Sequence, residues 1–277
     1  MVQKLVAILI IIFFLIGCTK QSTIVNVNLP PEDKSQLVNT VLGNSSNVNI
    51  VNNTSVNTNK NINSTTVNTN TNKPTIVPTQ VEIPAKLDLD VAFAPQAPFG
   101  NWNVLNEEAC EEASMITVAK YFLTQPLSEK IMEAEIIKLD NWEKSHGYKI
   151  DLSAAETANV LKEYFNLKAK VVEDVSIDRI KYELSLGNLI IVPLAGRELN
   201  NPYFQTPGPI YHMLVIRGYD NDEFITNEVG TKRGDGFKYK YQVLINAIHD
   251  WNPTWSHYEV TDAQMTSQPK RMIIISQ

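Results

Sequence analysis

Residues 189–229 read LIIVPLAGRELNNPYFQTPGPIYHMLVIRGYDNDEFITNEV. The apolar, largely β-branched run 189–194, punctuated by Pro193 and Gly196, reads as a buried strand. Strands over 211–219 and 223–229 follow, joined by Asp220-Asn221-Asp222, a short polar turn suited to a hairpin. Further strands are expected over 237–241 and 271–276, with a helix over about 242–250 between them. Upstream the period changes. Apolar residues at helical spacing predict helices over about 108–122 and 128–144. Ser153 with Glu156 forms a capping box that opens a third helix to about 165, and 177–186 is a fourth, stopped by Gly187. Helices first and mostly antiparallel strands afterwards predict an α+β fold, with the N-terminal helices packed on the sheet.

Composition narrows the function. The chain has 277 residues, enough for one large or two small domains. A net charge of −6 does not favour nucleic acid as a partner, because phosphate binding needs clustered Lys and Arg. Two cysteines are too few for a zinc pattern, and no glycine-rich phosphate loop is present, so no metal or cofactor is expected.

Residues 1–18 read as a targeting segment. Lys4 precedes an apolar run over 5–16, short for a bilayer span but suited to a signal peptide. The run ends in Leu15-Ile16-Gly17-Cys18, which resembles the bacterial lipobox. That resemblance implies cleavage before Cys18, lipidation of its sulfur and an extracytoplasmic protein held to a membrane; a plain N-terminal anchor is the alternative. Residues 19–82 are dominated by Asn, Thr, Ser and Val and bury too little apolar area to offset chain entropy, which predicts a disordered linker. Residues 83–277 form the expected folded domain.

With Cys18 lipidated, Cys110 has no disulfide partner. An inert buried cysteine is the bland alternative. Its place in the first turn of a helix favours a thiolate, while Glu107, Glu108, Glu111 and Glu112 oppose one, so a reactive thiol there needs a histidine. His146 falls in a helix-ending turn, and His249 and His257 in apparent surface helix and loop. His212 heads a buried strand, where it can face a helix start held against the sheet. The returning hairpin strand brings Asn227 or Glu228 beside it as an orienting partner.

Gln96-Ala97-Pro98-Phe99-Gly100-Asn101-Trp102, then NEEACEEASMITVAKYF and NPYFQTPGPIYHMLVIRGYDNDEFITNEVGTKRGDGFKYKY, together resemble the C39-like cysteine peptidases. The resemblance implies a papain-like fold, with Cys110 as nucleophile, His212 as base and Gln96 helping to form an oxyanion hole. Family members usually carry glycine where this chain has Glu111, and an Asp-Pro pair where it has Glu228-Val229. Glu228 is therefore the first choice for the third member and Asn227 the second. The expected function is hydrolysis of peptide or related amide bonds, with peptides or cell-wall peptides as substrates. Two alternatives stand beside it: an inactive binding module on the same fold, and a cell-wall amidase or transpeptidase.

Overall fold

In the computed structural model, which describes residues 83–277, the elements are β1 (Leu87–Asp88), α1 (Val104–Glu107), α2 (Cys110–Phe122), α3 (Glu129–Ser145), α4 (Ala154–Glu163), β2 (Lys168–Val172), α5 (Ile177–Ser185), β3 (Leu189–Ala195), β4 (Tyr211–Asp220), β5 (Glu223–Asn227), β6 (Asp235–Lys240), α6 (Tyr241–Ala247), α7 (Asp262–Thr266) and β7 (Met272–Ser276). The signal segment, Cys18 and the linker over 19–82 lie outside the described residues. Among the described residues no helix is long and apolar enough to cross a membrane.

Helices start where side-chain oxygens satisfy the free N–H groups of a first turn. Ser128 accepts from the Ile131 N–H, Ser176 from that of Arg179, and Ser153 closes a full capping box with Glu156. The helix expected from residue 108 starts two residues later, and a separate short helix precedes it. Asn103 caps α1 by accepting from the Leu105 and Asn106 N–H groups. Helix α2 begins only at Cys110, and its cap residue, Ala109, supplies no side-chain oxygen.

The sheet runs β2-β7-β3-β4-β5-β6, with β1 added on β4 and every pairing antiparallel. Asn221 takes φ 54° in the tight β4–β5 turn, a conformation Asn tolerates. β1 lies close because Gly218 has no Cβ: one built there would come within 2.3 Å of the Leu87 carbonyl oxygen. Alternate side chains feed two cores. Ile191, Met213, Val215 and Ile273 pack with α2, α3 and α4, while Ile190, Leu214, Ile216 and Ile274 pack with α5 and α6. Helices therefore cover both faces, which is why β3 is buried throughout. The outermost strands carry exposed lysines, Lys168 and Lys170 on β2 and Lys238 and Lys240 on β6.

Candidate active site

Cys110 and His212 meet at one cleft of about 400 Å³, whose lining also includes Gln96, Trp102, Tyr203 and Phe204. Cys110 is the first residue of α2, and the first-turn amides of that helix lack intrahelical acceptors. Ala109 supplies no side-chain cap, and the Glu111 and Glu112 backbone N–H groups turn to their own carboxyls. The thiol is 6% exposed and therefore reachable only from the cleft. Its sulfur lies near the Met213 backbone N–H of β4, the residue after His212. Its own proton goes elsewhere: Sγ donates to Glu111 Oε2 at 2.9 Å.

His212 is the second residue of β4, paired across the sheet with Leu194 and 2% exposed. Its Nε2 meets Glu228 Oε1 at 2.6 Å. The same oxygen accepts from the Gly230 N–H at 2.9 Å, and Oε2 accepts from the Tyr239 hydroxyl at 2.8 Å. Asn201 Nδ2 donates in turn to the Tyr239 oxygen at 2.7 Å. Phe204 packs edge-on against the imidazole, with ring centroids 5.3 Å apart. Residue 230 must be small, since a Cβ there would sit 2.9 Å from Phe204 and 3.0 Å from His212 Cε1. With Nε2 bound to Glu228, Nδ1 is the nitrogen left for a second partner.

Glu228 lies one residue beyond the end of β5. The chain leaves the ladder there because the Glu228 N–H turns to the Gly234 carbonyl at 3.0 Å, after a register shift at Thr226 and Asn227. Asn227, the second choice for orienting the histidine, is engaged elsewhere: its Oδ1 accepts from Arg217 Nη1, and its Nδ2 donates to the Val91 and Ala92 carbonyls.

Gln96 reaches the cleft through a backbone link, its N–H donating to the Val229 carbonyl at 2.8 Å. Its side-chain Nε2 donates to the Asn106 and Glu107 carbonyls at 2.9 and 3.0 Å. In this state the amide secures the end of α1 just ahead of Cys110.

Of the acidic residues around the sulfur, Glu111 and Glu112 are buried, at 1% and 5% exposed, while Glu107 is exposed and Glu108 half-buried. Burial, then Glu111 and Glu112, push the Cys110 thiol well above its ordinary value, against the lowering effect of the Met213 amide. Helix position alone would favour the thiolate, and desolvation outweighs it here. Burial likewise raises the Glu111 carboxyl, takes Glu112 up to about 7, and with Glu112 beside it takes Glu143 up to about 11.

A residue read as surface loop also lines the cleft. His257 Nδ1 lies 2.7 Å from Asp151 Oδ2 and its Nε2 3.1 Å from Glu108 Oε1. These two carboxylates raise the imidazole to about 10. No periodicity marked His257, because the chain brings it back to the cleft only after α6. Tyr239 was likewise invisible as a site residue, since it reads as one of several aromatics on a strand.

One cleft thus holds a sulfur at a helix start with no side-chain cap, an imidazole bound through Nε2 and a buried carboxylate behind it. A Bacillus anthracis chain of known crystal structure, assigned as a C39-like peptidase, aligns over 69% of this chain and 98% of its own, at 16% identity and a TM-score of 0.43. No curated protein matches the sequence. The sequence model of the Peptidase_C39 like family matches residues 88–259, well over half of the chain and all of the cleft residues described above. With its helices on an antiparallel sheet in the α+β, papain-like manner, the chain belongs to the Peptidase_C39 like family.

Proposed function

We propose that this chain is an exported, lipid-tethered cysteine peptidase that hydrolyses peptide or related amide bonds, with Cys110 as nucleophile, His212 as base and Glu228 as the group that orients His212. The observation that carries the reading is the 2.6 Å contact from His212 Nε2 to the buried Glu228 carboxylate, in the same cleft as Cys110. A carboxylate on Nε2 fixes the tautomer and stabilises the imidazolium that forms during turnover.

In the first step the sulfur attacks the carbonyl carbon, an S–C bond forms and the carbonyl π pair moves onto oxygen. The thiol proton passes to His212 Nδ1. The Cys110 backbone N–H, at the first position of α2, suits the developing oxyanion. Gln96 adds to it by releasing one of its two carbonyl partners. Collapse breaks the C–N bond, and the leaving amine takes the His212 proton. Water, deprotonated by His212, then releases the acyl group and restores the thiol. The cleft, with Trp102 and Tyr203 in its lining, suits a peptide substrate, and the lipobox-like segment ending at Cys18 favours wall or other extracellular peptides.

A second reading, an inactive binding module, has one observation in its favour: the resting thiol is buried and donates to Glu111, not to His212. A mixed-peptide cleavage assay decides between them. The wild-type protein should cleave, and Cys110→Ala should lose turnover by at least about 10³-fold while keeping its thermal transition. Equal cleavage by both proteins, or none by the wild type on any peptide or wall fragment, overturns the peptidase reading.

A further inference from the structure

Glu111 follows Cys110 in the first turn of α2. An acidic residue at such a position is ordinarily solvated and favourable; this one is 1% exposed. A buried carboxyl needs hydrogen-bond partners, and Glu111 has two. Oε1 accepts from the Leu152 N–H at 3.2 Å, and Oε2 accepts from Cys110 Sγ at 2.9 Å.

The groups facing the pair come from every element around it. Glu112 lies beside it on α2, and Glu143 approaches from α3, hydrogen-bonded to Glu112. Asp151 stands in the segment before α4, and β4 contributes Tyr211, whose hydroxyl donates to the Leu152 carbonyl at 2.7 Å, and His212. His257, itself held between Asp151 and Glu108, is a cation on this side of the cleft, and Asp140 and Lys144 of α3 act on Glu112 with opposite sign. Among the described residues no Lys or Arg forms an ion pair with Glu111. A thiolate and a carboxylate side by side would thus place two negative charges in one desolvated pocket, an arrangement that raises both groups.

We infer that Glu111 sets the ionisation state of Cys110: its carboxyl holds the resting sulfur as the protonated thiol, with the S–H directed away from His212. As control of a nucleophile this rests on the peptidase reading; as a property of the thiol it is measured without any substrate. For attack, the S–H turns from Glu111 Oε2 to His212 Nδ1, which receives the proton as the S–C bond forms. The sulfur's electron pair makes that bond, and the negative charge ends on the carbonyl oxygen, so thiolate and carboxylate never coexist for long. Glu111 keeps its Leu152 contact throughout. Its part is to position the proton and restrain the charge.

The test is alkylation of the full-length protein by iodoacetamide across pH, followed by mass spectrometry of the Cys110 peptide. Glu111→Gln preserves the side-chain length and the oxygen facing the Leu152 N–H while removing the acidic group. The wild-type midpoint should lie above the free-thiol value of about 8.5. In Glu111→Gln it should fall by at least about one pH unit, with roughly tenfold faster labelling at pH 7. An unchanged or higher midpoint in the variant overturns the inference. Should that variant fail to fold, Glu111→Ala takes its place with the same two outcomes, because burial alone would also raise the wild-type midpoint. Peptide cleavage measured on the same two proteins separates the readings. A shifted midpoint without cleavage by either protein removes the peptidase and keeps the Glu111 effect, and cleavage with an unshifted midpoint does the reverse.

Discussion

Glu228 has no exposed surface, and its two oxygens meet three donors, from His212, Gly230 and Tyr239. Glu228→Gln keeps one oxygen for His212 and Gly230 but removes the charge that stabilises an imidazolium and turns an NH₂ group toward Tyr239. We expect kcat/KM to fall by roughly 10² to 10⁴-fold in that variant. Glu228→Ala leaves two buried donors and the half-buried Gly230 N–H without an acceptor, and urea unfolding should show a loss of about 2–4 kcal/mol. The places of the candidate residues were readable one by one: a sulfur at a helix start, a histidine heading a strand, an acid just past the return strand. The burial of Glu111 was not, because an acidic residue in a first helical turn normally signals solvent. Its burial follows from Leu152 lying over the start of α2, a contact between segments 41 residues apart.

At the scale of elements, the packing of α2 on α3 encloses the Glu112 and Glu143 carboxyls, which share a hydrogen bond away from water. Both are raised from an ordinary 4.5, to about 7 and about 11. The folded chain therefore keeps protons that the unfolded chain releases, and stability declines as pH climbs above about 4.5. Glu143→Gln donates an amide to Glu112 without that linkage. It should be more stable than the wild type at pH 8, by up to about 1.4 kcal/mol for each pH unit above 4.5, and equal to it at pH 4. Urea midpoints at the two pH values check this. Element boundaries were legible where a cap spells them out, as at Ser128, Ser153 and Ser176. The break between α1 and α2 was not, because Glu108 and Ala109 are ordinary helix formers and only the Asn103 cap upstream makes a separate turn. Strand β2, Lys-Ala-Lys-Val-Val, was overlooked for a related reason: five residues hold too few alternations to stand out, and β7 supplies the pairing that makes them a strand.

Across the whole molecule, His257 ties the late segment of the chain to Asp151, 106 residues earlier, and to Glu108 at the cleft. Its two carboxylates raise the imidazole from 6.5 to about 10. The tie is fully present below pH 6.5 and fades as pH rises through about 10, since only the folded state holds the proton in that window. His257→Ala should lower the thermal midpoint at pH 6 and cost progressively less toward pH 10.5, a comparison that calorimetry reads directly. Such a tie is beyond pattern reading, because nothing local distinguishes a histidine on a loop from one in a distant ion pair. Helices before antiparallel strands were visible in the order of hydrophobic periods; coverage of both sheet faces was not, since it depends on α5 and α6 crossing to the side opposite α2. The sheet stays open at β2 and β6, where lysines recur at every second position. A neighbouring copy that approached rim to rim would set ammonium against ammonium before any backbone bridge formed, so crowding this protein on a surface should not zip its sheets into fibres.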